Sequence, residues 1–75
     1  MTVYPNPCKD FLYVKYGEIK FADIEIIDIT GKKLSILKKA QLNLPLNIRQ
    51  LNPGLYFIRI QFPNKNLIKP ITVVP

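Results

Sequence analysis

Few side chains in this sequence are suited to chemistry, and their spacing argues against most of it. Cys8 is the only cysteine, so no disulfide can close within the chain and no paired-thiolate metal site can form. Histidine is absent, which removes the commonest general base and metal ligand together. Without that base, Cys8 lacks the partner that activates a thiol nucleophile. Thr30-Gly31-Lys32 sets a glycine beside a lysine as phosphate loops do. A Walker loop, however, needs the longer Gly-x-x-x-x-Gly-Lys-Ser/Thr frame opening onto a helix, and neither the first glycine nor the helix is here. No enzymatic activity, cofactor or metal is expected.

Charge is the next candidate. The chain has 75 residues and a net charge of +6, but residues 1–28 hold three lysines and all five acids, whereas residues 29–75 hold eight Lys or Arg and no acid. Such a basic half can attract nucleic acid, anionic lipid or polysaccharide. Nucleic-acid binding is not expected, because the basic residues are not interleaved with aromatics into a stacking platform. Tyr13, Phe57 and Arg59 are candidates for an exposed face that stacks on sugars, which keeps a second reading open: a generic Ig-like adhesion or carbohydrate-binding accessory module.

The elements that must carry these side chains read as strands. Ile occurs at eleven positions, Ala only at Ala22 and Ala40, and Ile favours a pleated, half-buried surface where Ala would favour a helix. The best strand follows Leu51-Asn52-Pro53-Gly54. Pro53 presets φ for a turn and Gly54 tolerates the positive φ after it. Alternation then puts Tyr56, Ile58, Ile60 and Phe62 on a core face and Leu55, Phe57, Arg59 and Gln61 on the other. The spacing Leu51-x-x-Gly54-x-Tyr56 also fits a tyrosine corner, in which the ring packs inward and the hydroxyl bonds backbone a few residues upstream.

Earlier in the chain, Val3-Tyr4-Pro5-Asn6-Pro7 reads as an extended lead-in along a sheet edge. Phe11–Tyr16 is a strand with Leu12, Val14 and Tyr16 sharing a side. Ala22–Ile29 is another, with Ile24 and Ile26 inward and Asp23 and Glu25 outward. Thr30-Gly31-Lys32-Lys33 reverses the chain with Gly31 at positive φ and Asp28 accepting from turn backbone, and Lys33–Lys38 returns as a hairpin. A polar connection, Lys38–Gln41, leads to an alternating strand over Leu42–Arg49, which Pro45 places at a sheet edge or interrupts. After a turn at Pro63–Asn66, Leu67–Val74 is a last strand, broken or bulged at Pro70. Six or seven short strands without a helix predict an all-β, Ig-like antiparallel β-sandwich, a single domain over residues 1–75.

No segment approaches the length of a spanning helix, and the first residues lack the basic-then-apolar order of a signal peptide. Met1 directly precedes strand-like residues, so the domain reads as one excised from a larger protein.

With these motifs in place, the chain resembles the C-terminal sorting domain of the type IX (Por) secretion system of Bacteroidetes. The resemblance rests on Val3-Tyr4-Pro5-Asn6-Pro7 with Asp10-Phe11-Leu12, on Ile26-Ile27-Asp28-Ile29-Thr30-Gly31-Lys32-Lys33, and on Leu51-Asn52-Pro53-Gly54-Leu55-Tyr56-Phe57-Ile58, in that order. It implies a non-catalytic Ig-like sandwich that directs an attached, N-terminal cargo domain of the same chain through the periplasm and across the outer membrane, to be secreted or displayed on the cell surface. The implied partners are the outer-membrane translocation and sortase machinery. Pro5, Asn6, Pro7, Asp28, Gly31, Leu51, Gly54 and Tyr56 are then the motif residues, and Lys69, Ile71, Val73 and Val74 candidates for recognition. The family commonly ends in a basic-apolar tail; Thr72-Val73-Val74-Pro75 lacks its terminal lysines. Cys8 stands where small residues are frequent, which fits a packing role.

Overall fold

The computed structural model describes residues 1–75, all in strands, turns and connections. Seven strands follow one another: β1 (Thr2–Tyr4), β2 (Phe11–Lys15), β3 (Phe21–Asp28), β4 (Lys33–Gln41), β5 (Leu46–Asn47), β6 (Gly54–Phe62) and β7 (Lys65–Val73). They form a three-stranded sheet ordered β1-β2-β5 and a four-stranded sheet ordered β4-β3-β6-β7, with every named strand pair antiparallel. The expected all-β sandwich is what the chain adopts.

Period-two alternation fills the space between the sheets. Leu12 and Val14 from β2 meet Ile24 and Ile26 from β3, Tyr56, Ile58 and Ile60 from β6, and Ile71 and Val73 from β7 in one buried cluster. Tyr16, expected to share the inner side of β2, lies just past that strand. It is half-buried with its ring 5.2 Å from that of Phe62, and Lys65 donates to its hydroxyl. The far end of the β6–β7 hairpin is thereby tied to the exit of β2.

The tyrosine corner is present. Tyr56 turns its ring into the core and donates its hydroxyl to the Asn52 carbonyl at 2.6 Å. Gly54 takes a φ of +154°, which side-chained residues rarely adopt, and a Cβ there would meet the Tyr56 ring at 4.0 Å. The turn after β3 also forms as read. Gly31 sits at a φ of +91°, and one carboxylate oxygen of Asp28 accepts from the Thr30 N–H at 2.9 Å, the Thr30 hydroxyl at 2.6 Å and the Lys32 N–H at 3.0 Å.

Four expectations need correction. The strand over Leu42–Arg49 shrinks to Leu46–Asn47, because Asn43 turns the chain at a φ of +66°. The alternation there was real but served insertion: Leu42 and Ile48 are buried while Leu44 is exposed. Pro45 does precede an edge strand, since β5 borders the three-stranded sheet. Next, Lys38–Gln41 is not a connection but the end of β4, continued past an irregularity where Lys39 takes a φ of +51° and donates its N–H to Asp23 at 2.9 Å.

Pro70, in turn, neither breaks nor bulges β7, which keeps an unshifted register with β6 from Lys65 to Val73. Position 70 points its backbone away from β6, so the missing N–H removes no ladder bond. The fourth correction is Glu25. It lies on the outward face as expected, yet it is buried, at 4 % exposure, beneath Lys33 and Arg59.

Substituting Tyr56→Phe keeps the buried ring but leaves the Asn52 carbonyl without its donor, so urea unfolding is expected to show a loss of about 1–2 kcal/mol at unchanged m-value. A midpoint equal to that of the parent chain removes the corner from the list of stabilising contacts.

Candidate functional site

The three motif segments lie far apart in sequence and meet at one end of the four-stranded sheet. Asp28 is the register partner of Tyr56, and Tyr56 that of Ile71, so one cross-strand row joins the β3 turn, the tyrosine corner and the last strand. Gly54 pairs with Val73 in the next row but one. The N-terminal segment reaches the same place from outside.

That segment covers the C-terminal half of the outer border of β7. Cys8 donates its N–H to the Thr72 carbonyl at 2.8 Å and accepts from the Val74 N–H at 2.8 Å, a parallel bridge beyond the named strands. The Asn6 side chain extends the pairing where backbone does not reach. Its amide nitrogen donates to the Pro70 carbonyl at 3.2 Å, and its amide oxygen accepts from the Thr72 N–H at 3.0 Å. One amide side chain thus stands in for a strand residue, presenting a donor and an acceptor to successive outward groups of β7. Pro5 and Pro7 flank Asn6 on an exposed stretch that contributes no strand of its own.

Of the other motif residues, Leu51 packs partly buried against the core, with its N–H on the Ile48 carbonyl at 3.0 Å. The recognition candidates divide. Ile71 and Val73 are buried in the core, Val74 is half-buried at the Cys8 bridge, and Lys69 is exposed. Tyr13, Phe57 and Arg59 do not converge: Tyr13 stacks on Tyr4 with ring centroids 5.3 Å apart on the three-stranded sheet, whereas Phe57 and Arg59 belong to β6. No single aromatic face is made from these three.

The electrostatics are structural in origin. Burial pushes the Cys8 thiol up, and its sulfur lies 3.3 Å from the Thr72 carbonyl, so it stays a neutral, packed group. Glu25 goes the other way. A hydrogen bond from Lys33, with the charges of Lys33 and Arg59 behind it, outweighs burial and holds the carboxyl below its ordinary value of 4.5. Its two oxygens lie 3.0 Å from Lys33 Nζ and 2.9 Å from Arg59 Nη1. Asp28 is likewise held below its ordinary range, first by the Thr30 hydroxyl and then by the turn amides.

Sequence reasoning missed the function of Asn6 within its motif and the burial of Glu25. Asn6 acts on residues 64 and 66 positions away. An Asn between two prolines, too constrained to pair as a strand, was the available signal.

Taken together, the sandwich and the gathering of its motifs around the terminal strand describe an all-β domain built to hold that strand in place. The description "Secretion system C-terminal sorting domain" matches residues 2–74, and the chain belongs to that family. It is a type IX sorting-signal domain, of a family generally without catalytic activity, whose members mark secreted or cell-surface proteins. No curated protein matches the chain.

Two measurements probe this geometry. Asn6→Ala should raise amide exchange at Thr72 by about tenfold or more while the Ile71 amide, turned towards β6, keeps its protection; equal protection at Thr72 shows that the side chain is not a cap. Glu25 has a folded-state pKa below its unfolded one, so its contribution is full above the ordinary value of 4.5 and is lost as pH falls through the depressed value. Glu25→Gln should therefore flatten the acid limb of stability as pH falls below 4.5, and an unchanged limb rules the ion cluster out as its source.

Proposed function

We propose that this domain directs an attached cargo across the outer membrane by the type IX apparatus, acting as an address label and performing no chemistry. The observation that carries the reading is the convergence of the three family segments on the row Asp28–Tyr56–Ile71, beside the covered border of β7. A label of this kind needs a terminal segment held in one defined pose, and the motif residues supply the pose.

Within it, the candidate recognition residues take different parts. Lys69 is exposed and accessible to the translocation machinery in the folded domain. Ile71 and Val73 seat the strand in the core, so they act on recognition by fixing β7, and Val74 locks its end to Cys8. Strand addition by a partner has little of β7 left to use. Outward backbone groups beyond the cover belong to Asn66 and Ile68, since Pro70 offers no N–H. Side-chain contacts therefore carry more of the recognition than backbone pairing.

Fusion of residues 3–75 to a periplasm-exported reporter in a type IX-competent host should deliver the reporter to the medium or cell surface. Removing Ile68 to Pro75 should leave it in the periplasm. Periplasmic retention of the complete fusion overturns the reading.

A further inference from the structure

The outer face of the four-stranded sheet has no layer over it, yet it is not an ordinary polar face. Ile27, Phe57 and Pro70 are consecutive cross-strand partners, and Arg59 pairs with Ile68 in the adjoining row. A shallow recess of about 300 Å³ opens there, between Ile27, Ile29 and Gly31 on one side and Phe57, Arg59 and Ile68 on the other. Ile29 is 70 % exposed and Ile68 54 % exposed, so two large apolar side chains stand at the rim in water. Such a patch, concave and rimmed by charge, marks an interaction surface more often than a solvated one.

The charges at this recess are arranged with one side unfilled. Arg59 commits Nη1 to Glu25, while Nη2 and Nε donate to no group of the chain. Glu25 lies below it and is occupied by Lys33 as well, and the Asp28 carboxylate is bound into its own turn. Beyond residue 28 the chain has no acid at all. A planar guanidinium with free donors at the wall of an apolar recess is suited to a carboxylate.

We propose that this recess docks an acidic, apolar-anchored segment of a partner protein: an apolar side chain fills the space between Ile29, Phe57 and Ile68, and a neighbouring carboxylate meets the free donors of Arg59. A second copy of this chain is disfavoured as occupant, because it would bring its own Arg59 and Lys33 to the same row. The role of Glu25 follows. Anchored beneath the face, it fixes the direction of the guanidinium and reduces the entropy lost when a carboxylate binds. The inference goes beyond the sorting function, since it names a surface and a ligand chemistry that export alone does not specify.

The test is direct binding, made on the 75-residue chain so that it does not depend on export. A fluorescein-labelled peptide alternating Leu and Asp is titrated with the chain at low salt. Saturable binding is expected, weakened about tenfold or more by Ile68→Ser and by Arg59→Gln, and weakened by added salt. Ile68→Ser alters an exposed side chain and keeps the buried cluster; an unchanged melting curve shows that the loss is at the surface. The same peptide with Ser for Leu, or Lys for Asp, should not bind. The proposal is overturned by absent binding, by equal binding of the control peptides, or by insensitivity to both substitutions. It is overturned equally if anionic vesicles bind at this face where the peptide does not, or if sedimentation shows that the chain covers the face with a second copy.

Discussion

The structure depends on keeping the C-terminal half of β7 paired on both of its borders. On one side the strand pairs with β6 through nine residues; on the other, its C-terminal half would present unpaired amides and carbonyls to any passing strand. Asn6 and Cys8 close that half with four short-range contacts to Pro70, Thr72 and Val74. Because Ile71 and Val73 are core residues, lifting β7 breaks the cover and opens the core in one event. The two ends of the chain are thereby made cooperative, although neither end is long enough to be stable alone.

The fold itself was legible where the determining contacts are local. Asp28, Gly31 and the tyrosine corner are each decided within about one turn of chain, by a carboxylate reaching amides two to four residues on, a glycine at positive φ, and a hydroxyl reaching back four residues. Core faces of β2, β3 and β6 were legible for the same kind of reason, since period-two alternation is a property of the strand itself. The likeness to the sorting-domain family is consistent with this, because its segments are those local signals in a fixed order.

What escaped the sequence was decided by direction and distance. Pro70 looked like a break, but whether a proline interrupts a strand depends on which border its nitrogen faces, and nothing near it in sequence states that. Leu42–Arg49 reads as a strand because apolar residues alternate along it, yet Asn43 turns the backbone away, Leu44 stays exposed and only Leu46 and Asn47 pair. Glu25 looked solvated because the cations that cover it come from Lys33 across a hairpin and Arg59 in the neighbouring strand. Asn6 was visible as part of a motif and silent about its target, which lies at the other end of the chain.

The two borders of the four-stranded sheet are defended by different means, and the difference bears on how the domain meets other proteins. The β4 border is left without a covering strand, but its register shifts twice, Lys39 turns its N–H onto Asp23, and Lys32, Lys33, Lys38 and Lys39 flank the regular stretch. Irregular pairing and lysines discourage a copy of the same edge from docking. The β7 border is protected by occupation instead, over its C-terminal half. With one border irregular and lysine-flanked and the C-terminal half of the other occupied, backbone pairing is restricted at both borders, and the outer face between them, where Arg59 and Ile68 stand side by side, offers side chains instead. A domain that must meet a partner while avoiding its own copies is better served by recognition through side chains on a face, because backbone pairing at an edge discriminates poorly between the two.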